Sequence, residues 1–262
     1  MAGIFGRPKR FKSLCFWPRE KAYYRRNDWA GRKRDDEGRW ILDSPPGNAM
    51  AHFVHNMFYL LGSETGRSAE PCEILAECYR VYPIENFDTG IFRAFTPEGV
   101  EILFYGSHVT EYEKNPVFHF EFEEAVVTYG EHANDIIARD NQGREKSYGS
   151  PEDDDQFLKL HKAIGNIKTR EPLVCGPEAA FPQILCVNGM QESVREITDI
   201  QADMICSDGQ AKRHWISGID NLLIDCYNRN VLPHEYGVAW SKPGRRIDLR
   251  NYTWFPGGSM EK

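Results

Sequence analysis

VFHFEFEEAVVTY, residues 117–129, is the stretch whose reading decides the fold. Phe118, Phe120 and Phe122 alternate with His119, Glu121 and Glu123, and the run then turns β-branched at Val126, Val127 and Thr128. A period of two puts alternate side chains on opposite faces, so this stretch predicts strands of a sheet with one buried and one wetter face. Working outward, GIFRAFT (90–96) and GVEILFYG (99–106) read as strands. So do LAECYRVY (75–82), 135–139 and 144–148. TPEG, EYEKNP and DNQG between them have turn chemistry. RFKSLCFWP (10–18) reads as a strand stopped by its proline. Residues 19–40 are charged, glycine-punctuated and aperiodic, which predicts a long loop, and a loop of that length inside a compact domain is often functional.

Helices are predicted in four places. SPEDDDQFLKLHKAIGN (150–166) opens with Ser150, Pro151 and acids, a cap and a favourable charge at the dipole's positive end. Residues 175–193 read as a helix interrupted near Pro182, and 209–230 as a helix whose Trp215, Ile219, Leu222, Leu223 and Cys226 form one apolar stripe. The fourth is GNAMAHFVHNMFYLLG (47–62). The tail, 231–262, is rich in aromatics, Pro and Gly and is expected to wrap over the core in extended form. Together these give a single α+β domain over 1–262, a mostly antiparallel sheet flanked by helices, with 1–46 as its first strand and long basic loop.

Composition bounds the function classes. The 262 residues are 41% hydrophobic and 27% charged, ordinary for a globular chain large enough to bury most of its surface. No run of about 18 apolar residues occurs, so no membrane span is predicted. The basic N-terminus lacks an apolar signal core. Seven cysteines with no C-x-x-C pair argue against a zinc ribbon or disulfide framework and point to a reducing cytoplasm. Residues 1–40 carry 12 Lys/Arg against 5 Asp/Glu, a net of +7, while the whole chain is at −7, leaving −14 on the rest. The basic segment either contacts phosphate or lies against the acidic remainder. A nucleic-acid binder would rest on that charge alone, and no nucleic-acid partner is expected. Neither a dinucleotide-type G-x-G-x-x-G nor a G-x-x-x-x-G-K-[ST] loop is present.

The helix 47–62 carries the chemistry. On a helical wheel Asn48, His52, His55, Asn56 and Tyr59 fall within an arc of roughly 100°, and the other positions from 49 to 61 are apolar. A solvent-facing stripe would normally hold Lys, Glu or Arg. Asn, His and Tyr fit a semi-buried polar cleft, where histidine gives or takes a proton near neutral pH. The competing reading is a set of buried groups satisfied by their neighbours. A zinc site is a third option, but no third ligand is evident and no metal is expected.

The runs YYRRNDWAGR (23–32), DSPPGNAMAHFVHNMFYLLG (43–62) and YRVYPIENFDTGIFRAFTPEGVEILFYGSH (79–108) together resemble the C-terminal domain of the Gfo/Idh/MocA oxidoreductases. That resemblance implies an open, mostly antiparallel β-sheet with helices packed on one face. It also implies a sugar or polyol substrate, oligomer contacts through the sheet face, and NAD or NADP as cofactor. The cofactor would sit on a Rossmann domain that has no counterpart in this chain, so a partner chain or a further N-terminal domain would supply it. The helix matches the family's Gly-Gly-x-x-x-Asp-x-Gly-x-His segment, with the terminal histidine, the family's acid/base, on His55. The motif's Asp falls on Ala51, so His52 or Asn48 would replace its role. Asn48, Asn56, Tyr59, Arg25, Asn27 and Trp29 would bind substrate, Arg and Asn by its hydroxyls and Trp by stacking; Tyr23 and Asp43 lie beside them. The alternative is a carbohydrate-binding or interaction domain that kept this fold without the redox chemistry.

Overall fold

The computed structural model describes residues 3–131, 134–151, 157–170 and 173–257. Its centre is strand β1 (Pro8–Phe16), buried from Phe11 to Phe16. β1 pairs in parallel with β4 (Glu101–Ser107) and antiparallel with β5 (Lys114–Phe122). On one side the sheet continues through β3 (Thr89–Phe95) and β2 (Glu73–Arg80) to β12 (Ile247–Asp248), with β9 (Thr198–Asp199) parallel to β2. On the other it runs through β6 (Ala125–Tyr129), β7 (Ile137–Asp140) and β8 (Glu145–Ser147). The remaining ladders are antiparallel. The mostly antiparallel sheet expected from the alternating stretch is therefore present, and β5–β6 run outward from its central strand.

The central strands read as near-continuous apolar runs because both of their faces are covered. Phe11, Cys15, Ile74, Ala76, Cys78, Phe92, Ala94, Ile102 and Phe104 point to one face. There they meet α1 (Ala51–Leu60) and α3 (Pro177–Ser193) through Met50, Val54, Met57, Phe58, Cys186 and Met190. Leu14, Phe16, Tyr79, Ile91, Leu103 and Tyr105 point to the other face, onto α4 (Ile219–Arg229) and the short α5 (Pro233–Tyr236). Helices thus pack on both faces, where the resemblance implied one. The stripe of Ile219, Leu223 and Cys226 was legible, but which face it would cover was not. The paired residues Gly90 and Gly106 leave room for the methionines that pack on this face. A Cβ on Gly90 would lie 2.9 Å from Met190 Cε, and one on Gly106 2.9 Å from Met50 Sδ.

Several expectations need correction. Residues 209–218 are not helical: β10 (Ile205–Ser207) and β11 (His214–Ile216) form a hairpin, so Trp215 lies on a strand. α3 is continuous through Pro182. The proline sits in the second turn and forfeits one backbone bond, too little to break a helix anchored by its buried face. α2 runs Leu158–Thr169 rather than from residue 150, and residues 152–156 lie outside the described ones. The tail is not wholly extended, since it contributes α5 and β12.

Candidate functional site

Residues 17–44 join β1 to α1 and form an ordered loop rather than a loose one. A 3-10 turn, Lys21–Arg25, opens it. Asp43 closes it: its buried carboxylate accepts the Gly31 N–H at 2.6 Å and Asn48 Nδ2 at 2.8 Å. Burial raises the Asp43 pKa, against the pull of those two donors. The Asp43 carbonyl takes Asn86 Nδ2 at 2.9 Å, and Asn86 Oδ1 takes Gln191 Nε2 of α3 at 2.7 Å. Loop, helix start and α3 are thereby tied into one hydrogen-bonded chain.

Asn48 does not stand on α1 as the helical wheel placed it. It lies in the turn before the helix, and its amide serves Asp43. On the helix itself His52 and Asn56 are exposed, while His55 and Tyr59 are half-buried. The His55 and Tyr59 rings lie 5.4 Å apart at 40°. The segment entering α3 crosses them: Tyr59 donates to the Val174 carbonyl at 2.9 Å, and His55 Nε2 is 3.3 Å from the exposed Cys175 thiol. His55 Nδ1 is buried with no hydrogen-bond partner among the described residues. Burial, then repulsion from His52, lowers the His55 pKa, so the ring is a neutral proton acceptor at neutral pH. Among the described residues no group of three His, Cys, Asp or Glu is placed to hold a metal.

The loop residues assemble separately. Arg25 is exposed. Asn27 Oδ1 accepts the N–H groups of Trp29 at 3.2 Å and Ala30 at 2.8 Å, which is turn-building work. Trp29 is partly exposed, with the Arg26 guanidinium 4.9 Å over its ring and 3.5 Å over Tyr23. Among the described residues no hydrogen bond or ring contact joins Arg25, Asn27 or Trp29 to His52, His55, Asn56 or Tyr59.

Below the loop lies a buried set that sequence reasoning passed over. Tyr24 Oη and His108 Nδ1 are 3.1 Å apart, and Tyr23 meets the same imidazole edge-on at 5.5 Å. Burial, then the charges of Arg19 and Arg26, pushes His108 down to about 3. Burial pushes Asp88 up to about 7, although its Oδ2 accepts the Val81 and Tyr82 N–H groups. Both were in the quoted run 79–108, yet a polar residue at a strand end carries no periodic signal of burial. Cys175 gave no signal either: it lies 120 residues from His55, and only the fold joins them.

No protein-family model matches the chain, and no curated protein matches it. Solved structures do share the fold. The WlbA dehydrogenase from Bordetella pertussis, solved with NADH and UDP-GlcNAcA, aligns at TM-score 0.55 and 16% identity over 74% of this chain and 54% of its own. Levoglucosan dehydrogenase, solved with NADH, aligns at TM-score 0.56 and 12% identity over 72% of this chain and 57% of its own. The UDP-N-acetylglucosamine 3-dehydrogenase GnnA from Acidithiobacillus ferrooxidans aligns at TM-score 0.51 and 12% identity, over 71% of this chain and 53% of its own. The chain thus spans about half the length of these structures. These neighbours are oxidoreductases of the Gfo/Idh/MocA type, and at such identities the likeness is one of fold.

Proposed function

We propose that this chain is the substrate-binding and oligomerising domain of an NAD(P)-dependent oxidoreductase acting on a sugar or polyol. The observation that carries the reading is His55, a neutral, half-buried imidazole on a helix without one charged side chain, with Tyr59 beside it. The dehydrogenase neighbours, solved with NADH and in one case with a sugar nucleotide, support it. The described residues do not themselves fit a dinucleotide. Its pyrophosphate needs a glycine-rich turn from a parallel strand into a helix N-terminus, and no described strand is followed by one. A dinucleotide-binding partner chain or further domain would hold it, so no hydride step is assigned to these residues.

In this reading His55 moves the substrate's hydroxyl proton at Nε2, where the Cys175 thiol now sits, and His52 is the accessible second imidazole. Asn56 and Tyr59 border the same helix side, and Arg25 and Trp29 offer a donor and a stacking surface from the loop. Oligomer contacts fall to the outer strands, where Phe118, Phe122, Val127 and Tyr148 line an apolar cleft. The test is His55→Ala in the chain assembled with its dinucleotide-binding partner. Turnover should fall about 10²–10⁴-fold with thermal unfolding unchanged. Wild-type turnover would remove His55 from the mechanism.

A second reading, a carbohydrate-binding or interaction domain without redox chemistry, is favoured by Ala51 at the motif's Asp position and by the thiol on Nε2. It expects sugar to shift the His52 and His55 resonances of the chain alone, with no turnover in any assembly.

A further inference from the structure

Away from α1, a cleft of about 550 Å³ opens where β9 joins the edge of β2 and the loop meets the tail. Four cations line it, Lys33, Arg80, Arg195 and Lys242, against two acids, Glu196 and Asp199. The chain as a whole carries −7, so a net positive hollow is out of keeping with its surroundings.

The four cations are not alike. Arg80 is a wall: Nε and Nη2 grip Asp199 at 2.7 and 3.0 Å, and Nη1 donates to the carbonyls of Ile84 and Glu85 at 3.0 and 3.1 Å. Asp199 is thereby spoken for and does not neutralise the rest. Among the described residues no carboxylate lies within 4.0 Å of the charged groups of Lys33, Arg195 or Lys242. Lys33 is held in place by its backbone, whose N–H donates to Glu85 Oε2 at 2.9 Å while its carbonyl accepts from Ile41 and Leu42. Its ammonium is half-buried, and burial, with the Arg80 charge, makes it harder to keep protonated, against the smaller opposing pull of Cys78 and Glu85. A partly desolvated cation set beside a second cation gains most from an anion bound between them. Lys and Arg together suit phosphate oxygens, and the cleft is too polar to serve an apolar ligand.

We propose that this cleft binds a phosphate or pyrophosphate group, with Lys33, Arg195 and Lys242 as its ligands and Arg80 fixing the wall. The site is independent of the α1 histidines. It is tested on the full chain by calorimetry at low salt with inorganic pyrophosphate and, separately, uridine diphosphate. Saturable binding is expected, weakened at least about tenfold in Lys33→Gln/Lys242→Gln and unchanged in Lys9→Gln on β1. Arg195→Gln, on an exposed side chain, gives the same direction with a smaller loss should the double variant fail to fold. Tighter binding of uridine diphosphate assigns the phosphate to a nucleotide, and equal binding assigns it to the free anion. No saturable binding of either probe, or binding that neither variant weakens, overturns the proposal.

Discussion

The two faces of the sheet are held by different means. On the α4–α5 face, buried charge does the fastening. Lys12 Nζ, on β1, reaches the Tyr227 carbonyl at 2.7 Å and Asn230 Oδ1 at 2.9 Å. Arg93 bridges Glu101 at 2.7 Å, the Asn230 carbonyl at 2.9 Å and Glu235. Glu77, fully buried on β2, takes the His234 N–H at 3.1 Å, lies 2.6 Å from His234 Nδ1, and accepts the Tyr79 hydroxyl. On the other face α1 and the Met50 before it meet the sheet through apolar side chains, Met50, Val54, Met57 and Phe58, with Phe53 beside them, and the polar side chains His52 and Asn56 are exposed. Polar groups on the first of these faces are therefore part of the fold. On α1, Tyr59 and His55 are tied to the segment entering α3, while the exposed His52 and Asn56 have no hydrogen-bond partner among the described residues and are surplus to the fold, as a site allows.

The sharpest way to break this contrast is Glu77→Ala. It strands the His234 and Tyr79 partners on the fastened face and should cost about 3–5 kcal/mol in urea unfolding. A loss near zero would mean that the buried network is not what holds α5 down.

A smaller effect separates the two buried titrating groups beneath the loop. Asp88, held at about 7, is protonated when folded and ionised when unfolded between its ordinary 3.8 and 7. Its contribution is full below 3.8 and is lost as pH rises through 7. His108, held at about 3, does the reverse: its contribution is present above 6.5 and is lost as pH falls toward 3. Between 3.8 and 6.5 the two slopes oppose one another. Asp88→Asn removes one of them. Relative to wild type it should lose about 1.4 kcal/mol per pH unit as pH falls through that window, read from urea midpoints at three pH values. A variant–wild-type difference independent of pH would show that Asp88 is ionised in the folded state.

The same contrast explains how much was legible in the sequence. Strands with period two announced themselves, as Phe118, Phe120 and Phe122 show, and α1 stood out as an apolar run without charges. The β10–β11 hairpin did not, because Trp215 and Ile216 run straight into the true helical stripe at Ile219 and mimic its earlier turn. Of the candidate site, the residue types on α1 were visible, but their partners were not. Asn48 seemed to extend the stripe only because the wheel was begun three residues before the helix. Val174 and Cys175 arrive over His55 and Tyr59 from a segment whose position depends on how α3 docks on the sheet. Local periodicity carries no information of that kind.

The smallest predicted effect tests the α1 side of the comparison. His52 and Asn56 are exposed and have no hydrogen-bond partner among the described residues, so nothing in the fold should miss them. His52→Ala and Asn56→Ala should each change stability by no more than about 0.5 kcal/mol. His52→Ala should also raise the imidazole pKa of His55, since a neighbouring like charge is removed, and proton NMR titration reads this directly. Neutral stability with a raised His55 pKa would show that both side chains are free of the fold and that the His52 charge reaches His55. A loss above about 2 kcal/mol in either variant would place them with the structural polar groups of the opposite face, since losses of that size come from buried or networked positions.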